Sequence, residues 1–110
     1  ALSLAQSGAA HGTVVVAEHQ SSGYGRHGRA WFSPSGLNIY CSVIIRGMGD
    51  TLSLSQWLSW VPLVSALAVT EATQEVAAVS LSLKWPNDLL LHERKVGGIL
   101  CESSFATAND

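Results

Sequence analysis

Cysteine and charge are both scarce in this chain of 110 residues. Its two cysteines, Cys41 and Cys101, are too few to form a disulfide framework or, unaided, a zinc site. Charged residues make up 13% of the chain and the net charge is −2, which argues against nucleic-acid binding through bulk charge. A hydrophobic content of 47% excludes intrinsic disorder. These observations favour a folded cytoplasmic protein with reduced thiols.

Charge is also missing locally, because no charged residue occurs between residues 51 and 70. That stretch is long enough to cross a bilayer. It is interrupted by serines and by Pro62, however, and its flanks Asp50 and Glu71 are acidic, whereas spanning helices usually have basic flanks. We therefore predict a buried helix of a soluble protein. The N-terminal residues also lack the basic and apolar pattern of a signal peptide.

The chain has no initiator methionine, and its first residues have the pattern of a helix already under way. Residues 106–110 directly follow an apolar strand pattern. We therefore expect residues 1–110 to be a single, incomplete domain.

The apolar pattern predicts an α+β fold with a mainly antiparallel sheet. The predicted elements are a helix closed by Gly8, strands at 13–18, 37–46 and 80–85, a helix within 54–76, and a hairpin of 88–91 and 95–101. Proline inside a helix removes a hydrogen bond and clashes one turn back. Because of Pro62, we expect the long helix to begin near Ser59, with that serine as its N-cap.

Residues 20–36, which we call the glycine-rich loop, combine several glycines with Arg26 and Arg29. Glycine lets a backbone approach a ligand closely, and arginine offers planar donors that suit carboxylate or phosphate. The loop is therefore either an anion-binding clamp or a mobile, solvated surface loop. Its Gly-x-Gly-x-x-Gly spacing matches the dinucleotide-binding fingerprint, but no helical period follows Gly28, so we reject a Rossmann fold.

The segment 84–88 reads Lys-Trp-Pro-Asn-Asp. Pro86 favours an extended Trp85, and Asn87 with Asp88 favours a turn at the strand end. Such a turn either contacts a ligand or is an ordinary strand end with Trp85 in the core.

Lys95 is followed closely by two glycines, whose backbone N–H groups, together with the ammonium, could stabilise a developing negative charge. The alternative is a hairpin lysine with its charge in water. The four histidines have no metal-ligand spacing, and the two cysteines have the pattern of core residues rather than nucleophiles.

Three segments, in this order, resemble biotin–protein ligases, also called biotin–[acetyl-CoA-carboxylase] ligases. They are Ala17-Glu18-His19-Gln20 with Gly23-x-Gly25-Arg26-x-Gly28-Arg29-x-Trp31-x-Ser33-Pro34-x-Gly36-x-Asn38-x-Tyr40-x-Ser42, then Lys84-Trp85-Pro86-Asn87-Asp88, then Lys95-x-Gly97-Gly98-Ile99-Leu100-x-Glu102. The resemblance covers residues 1–102 and implies the central part of a catalytic domain. It implies an α+β fold related to class II aminoacyl-tRNA synthetases, with a mixed, mainly antiparallel sheet backed by helices.

The resemblance further implies that biotin and ATP, with magnesium, form biotinyl-5′-AMP, which a lysine of a biotin carboxyl carrier domain then attacks. It implies no DNA binding by this chain and is compatible with a homodimer. Lipoate–protein ligases share the fold, but the Lys-Trp-Pro-Asn-Asp segment and the Gly-Arg loop favour biotin. A second hypothesis is a non-catalytic fragment of the same fold that only binds biotin or its adenylate, or serves as a scaffold.

The resemblance also implies a role for each matching residue. Lys95 and Arg26 are implied to be catalytic. Contacts to biotin or its adenylate are implied for Gln20, Gly23, Tyr24, Gly25, Arg26, Arg29, Trp31, Lys95 and Gly98. Nucleotide contacts are implied for Trp31, Lys84, Asn87 and Asp88, with Asp88 also a magnesium ligand. Two positions depart from the family, since Tyr24 and His27 stand where arginine or other polar residues are frequent. The family's Ser-Thr-Asn biotin motif is expected before Ala1, and its small C-terminal domain is not expected in this chain.

Overall fold

A computed structural model describes residues 1–46 and 54–103, with only the backbone for residues 54 and 55. Contacts divide the chain into two compact units, one holding the described residues up to 46 with 102 and 103, the other those from 54 to 101. The elements are α1 (Leu2–Gln6), β1 (Val14–Ala17), a 3₁₀ turn (Arg26–Gly28), β2 (Tyr40–Val43), α2 (Leu54–Ala77), β3 (Ser82–Lys84), β4 (Asp88–Leu91) and β5 (Arg94–Gly98). All strand pairs of the described residues are antiparallel, as predicted.

The first unit contains a two-stranded sheet in which Val14 pairs with Val43 and Ala17 with Tyr40. Val14 and Val16 are exposed. The prediction of a buried strand at 13–18 is therefore wrong for these side chains, which point to an uncovered face of the sheet. The second strand is also shorter than the predicted 37–46. Residues before it form a turn instead, because the Tyr40 hydroxyl donates to the Pro34 carbonyl at 2.9 Å and accepts from Asn38 at 2.9 Å.

Arg46 serves the fold of the first unit. Its guanidinium donates to the Ala5 carbonyl at 2.8 Å through Nη2 and to the Ala9 carbonyl at 3.0 Å through Nε. The last carbonyls of a helix have no partner within the helix, and this cationic donor adds a second bond to the Ala5 carbonyl, which also accepts from the Gly8 N–H at 3.2 Å. Arg46 therefore lies with α1 and not with the arginines of the glycine-rich loop.

The second unit is built on α2, which runs through Pro62 without ending. The prediction that the helix begins near Ser59 is wrong. Proline removes one backbone donor, but the remaining hydrogen bonds of a 24-residue helix hold both sides together. Ala66 is buried whereas Trp60 and Val64 are exposed, so the predicted burial holds for only part of the helix. No helix among the described residues is long and apolar enough to span a membrane, and residues 51–53 of the uncharged stretch lie outside them.

Strands β3, β4 and β5 form the second sheet in that order. The predicted hairpin is confirmed, with a two-residue turn at His92 and Glu93, whose φ angles of 50° and 65° suit a type I′ connection. β5 ends at Gly98 rather than at 101, and β3 spans 82–84 rather than 80–85 because Pro86 has no N–H to continue the pairing. Leu89 is 5% exposed and anchors β4 beneath α2.

Candidate functional site

The glycine-rich loop folds back on itself as an irregular hairpin. Its backbone bonds run from Gln20 N to Ser33 O at 3.4 Å, from Trp31 N to Gly23 O at 2.8 Å, and from Gly25 N to Arg29 O at 2.6 Å, with an isolated bridge between Tyr24 and Ala30. Arg26–Gly28 forms the tip. These bonds give the loop a defined hairpin conformation, and the anion-binding clamp and the mobile, solvated surface loop both stay predictions. No helix opens at Gly28, which confirms the rejection of a Rossmann fold.

A shallow cavity of about 340 Å³ lies at the base of this hairpin, lined by residues 20–23 and 30–34. It contains two predicted binding side chains, Gln20 and Trp31. The Gln20 amide nitrogen donates to the Ser33 hydroxyl at 3.0 Å, and that hydroxyl donates to the Trp31 carbonyl at 3.0 Å. Ser33 is the buried polar residue of the described chain, with 9% exposure. A short chain of hydrogen bonds therefore links three residues that line the cavity.

Gly23 lies against this chain of hydrogen bonds. A Cβ at this position would be 2.5 Å from Ser33 Oγ, 2.9 Å from Gln20 Nε2 and 2.9 Å from the Trp31 carbonyl oxygen. No side chain fits within those distances without displacing one of the three groups. The glycine is required here by close approach, which is a packing reason for its place in the motif.

Tyr24, at the outer part of the loop, bonds to a residue 78 positions away. Its hydroxyl donates to both carboxylate oxygens of Glu102, each at 3.1 Å. The hydrogen bond to Glu102, followed by the negative charge of that carboxylate, raises the pKa of Tyr24 above the ordinary tyrosine value of 10.0. Tyr24 therefore ties the loop to residue 102 by hydrogen bonds from a neutral group, whereas an arginine would add a positive charge to such bonds.

We expect Tyr24 to ionise at higher pH than a free tyrosine, and Glu102→Gln to lower its pKa back toward 10.0. Since the folded pKa is raised, the contribution of this bond to stability is complete below that ordinary value and is lost as the pH rises through the folded pKa. Tyrosinate absorbance measured against pH tests this, with Tyr24→Phe assigning the signal between the two tyrosines of the chain. Identical titrations of the parent chain and the Glu102→Gln variant would contradict the contact.

In the second unit, Lys95 and Asp88 form an ion pair, with Nζ 2.9 Å from Oδ1. The register set by the hairpin turn makes this pair possible. Arg94 lies opposite Leu91, so Lys95 lies opposite Leu90. Directly paired residues point to the same face of a sheet, and Asp88 lies two residues from Leu90, so Lys95 shares the face of Asp88. A β-bulge follows, with Val96 as the extra residue, where the register passes from Leu90 opposite Lys95 to Leu89 opposite Gly97.

Three further predicted site residues of the second unit, Lys84, Asn87 and Gly98, lie beside this ion pair. Lys84 and Gly98 are the two cross-strand partners of Asp88. The Asn87 side-chain amide donates to the Ile99 carbonyl at 3.0 Å, while the Ile99 N–H donates to the Asn87 carbonyl at 3.0 Å. Both bonds hold the turn against the end of β5. Trp85 is exposed, so the alternative that places it in the core is wrong.

The predicted site residues therefore fall into two groups. Gln20, Gly23, Tyr24, Gly25, Arg26, Arg29 and Trp31 lie in the first unit, and Lys84, Asn87, Asp88, Lys95 and Gly98 lie in the second. Arg26 and Arg29 are exposed at the tip of the loop hairpin. Sequence reasoning assigned no role to Ser33 or Glu102, although both stand in the motifs. The sequence feature that could have indicated a role for Ser33 is its place next to Pro34, where the loop turns back.

The expectation that both cysteines are core residues is wrong, since Cys41 and Cys101 are exposed. Both cysteines lie on the surface of the described chain rather than in its core. Desolvation nevertheless raises the pKa of the Cys101 thiol above its ordinary value, which disfavours the nucleophilic thiolate.

The arrangement of strands and helices is that of biotin protein ligases. A solved structure described as the biotin protein ligase of Aquifex aeolicus in complex with biotin and ATP is 40% identical, covers 87% of this chain and gives a TM-score of 0.71. The Leishmania major enzyme in complex with biotinyl-5-AMP is 31% identical, covers 93% and gives a TM-score of 0.76. This chain covers 39% and 46% of those two chains.

The chain belongs to the biotin/lipoate A/B protein ligase family, whose model matches residues 1–109. The bifunctional ligase/repressor BirA of Escherichia coli is 39% identical over 101 residues. That alignment covers 89% of this chain and 29% of the E. coli protein, so the chain spans about three tenths of the length of this relative.

Proposed function

We propose that this chain supplies the central part of a biotin–protein ligase, which activates biotin with ATP and transfers it to a lysine of a biotin carboxyl carrier domain. The observation that carries the proposal is the likeness to two solved ligases that hold biotin with ATP, or biotinyl-5-AMP. Within the family, two relatives at 40% and 44% identity are named biotin–[acetyl-CoA-carboxylase] ligases, which favours biotin over lipoate. We also propose a cytoplasmic location, supported by the two unpaired cysteines.

The reaction has two steps. In the first, a carboxylate oxygen of biotin attacks the α-phosphorus of ATP, and the bond from that phosphorus to the bridging oxygen breaks, releasing pyrophosphate. In the second, the carrier lysine amine attacks the acyl carbon and AMP leaves. The first step brings two anions together, so a cation beside the reacting groups lowers the barrier by offsetting their repulsion.

We assign ligand binding and charge stabilisation to the two groups of residues as follows. The cavity with Gln20, Gly23 and Trp31 is proposed to bind biotin or its adenylate. Arg26 and Arg29, exposed at the loop tip, are proposed to close over the anionic ligand and limit hydrolysis of the adenylate. Lys95 is proposed to stabilise the charge of the first transition state, with Asp88 holding its ammonium in place.

Magnesium is expected to accompany ATP, with Asp88 predicted as a ligand. The described residues contain no cluster of three groups that could hold a metal, and the Asp88 carboxylate is bonded to Lys95. These residues therefore do not form a metal site of their own. Binding of a biotin carboxyl carrier domain and formation of a homodimer both stay predictions.

Calorimetric titration of biotin into the full chain, with and without ATP, followed by an assay of biotin-dependent pyrophosphate release, tests the proposal. We expect binding in the micromolar range or tighter, enhanced by ATP, together with pyrophosphate release. Binding without release would favour the alternative of a non-catalytic binding module. Failure to bind biotin at all would favour the alternative of an incomplete fragment without ligand binding over the proposed function.

A further inference from the structure

Ser33 belongs to the lining of the cavity, and no role in the proposed reaction has been assigned to it. Its hydroxyl has one proton, which it donates to the Trp31 carbonyl at 3.0 Å. The lone pairs of the same oxygen accept from the Gln20 amide nitrogen at 3.0 Å. Because the proton is committed to Trp31, the hydroxyl can act toward Gln20 only as an acceptor.

This arrangement constrains the Gln20 amide. An amide has a donor end and an acceptor end of nearly the same shape, and it can bind a ligand in two ways that differ by a half turn. If the Gln20 amide rotated by that half turn, its carbonyl oxygen would face the lone pairs of Ser33, and the hydrogen bond would be lost. Gly23 lies close to the same amide. A Cβ added at Gly23 would be 2.9 Å from the Gln20 amide nitrogen.

We propose that Ser33 is a positioning residue, which fixes the orientation of the Gln20 amide at the cavity and thereby sets which end of that amide a ligand meets. This inference rests on the proposed function for the identity of the ligand, biotin. The orientation itself depends only on the bonds within the first unit. Ser33 lines the cavity together with Gln20, but its hydroxyl is already bonded to both the Trp31 carbonyl and the Gln20 amide, so we assign its effect on the ligand to the orientation of Gln20.

The test compares Ser33→Ala with Ser33→Thr, which keeps the hydroxyl, and with Ser35→Ala, a matched control at an exposed position of the same loop. Nuclear magnetic resonance of the ligand-free full chain measures hydrogen exchange of the Gln20 side-chain amide. We expect protection in the parent chain, in Ser33→Thr and in Ser35→Ala, and faster exchange in Ser33→Ala. Unchanged exchange in Ser33→Ala overturns the inference.

Biotin titration gives the second readout. Loss of one hydrogen bond is expected to weaken biotin binding by roughly threefold to tenfold in Ser33→Ala. In a Gln20→Ala background the same substitution should have no further effect, because Ser33 acts through Gln20. An equal loss in both backgrounds would mean a merely structural role and would overturn the inference. If the parent chain binds no biotin, the proposed function fails, whereas the exchange measurement still decides the role of Ser33.

Discussion

Replacing Lys95 by alanine is expected to lower the rate of biotin-dependent pyrophosphate release by roughly 100- to 1,000-fold, the usual effect of removing one group that stabilises transition-state charge. The fold should survive, because an ion pair with side chains 44% and 23% exposed contributes no more than about 1 kcal/mol to stability. Single-turnover formation of the adenylate from biotin and ATP measures the effect directly, and thermal unfolding confirms that the variant is folded.

Two further variants define the role of Lys95. Arg94→Ala removes the neighbouring cation of β5, whose side chain lies on the other face, and should leave the rate unchanged. Asp88→Asn keeps the ammonium but removes its partner, so it should reduce the rate less than Lys95→Ala does. The double variant should be no slower than Lys95→Ala alone if Asp88 acts only through Lys95. Adenylate formation at the parental rate by Lys95→Ala would disprove the assignment.

The ion pair also shows why sequence alone predicted only part of this site. The turn residues and the small residues after Lys95 correctly predicted a hairpin. The predicted strands, 88–91 and 95–101, however, would have put Lys95 opposite Leu91 and away from Asp88. The structure closes the hairpin with a turn of only two residues, so Arg94 lies opposite Leu91 and Lys95 lies opposite Leu90, on the face of Asp88. The residues of the pair were therefore predictable, but their contact was not.

The contacts of the first unit were also only partly predictable from the sequence. Glycine and arginine in the loop predicted either an anion-binding clamp or a solvated surface loop, and the lack of a helical period after Gly28 excluded a dinucleotide fold. The bond from Tyr24 to Glu102 joins residues 78 positions apart, a separation at which pattern and propensity carry no information. The exposure of Val14 and Val16 was missed for a related reason, since a β-branched run indicates a strand but not how many of its faces are covered.

Replacing Gly23 by alanine is expected to cost about 1–3 kcal/mol of folding free energy, as overpacking of a filled site does. The added Cβ would lie 2.5 Å from Ser33 Oγ and 2.9 Å from the Trp31 carbonyl oxygen. The serine side chain can rotate away only by breaking its two hydrogen bonds, and the carbonyl is a backbone group of Trp31, whose N–H is bonded to the Gly23 carbonyl. For a chain of this size the thermal midpoint should fall by roughly 5–20 °C.

Gly25→Ala is the matched control, because it adds the same methyl group two residues further along the loop. The nearest atom to a Cβ there is the Arg29 carbonyl oxygen at 3.9 Å, and the φ of −105° suits alanine. Its midpoint should therefore equal that of the parent chain or exceed it slightly. Adding Ser33→Ala to Gly23→Ala removes the oxygen at the shortest contact, so the double variant should be less destabilised than the sum of the two single variants. Equal midpoints for Gly23→Ala and Gly25→Ala would show that Gly23 is not in close contact, and the packing explanation of its place in the motif would then fail.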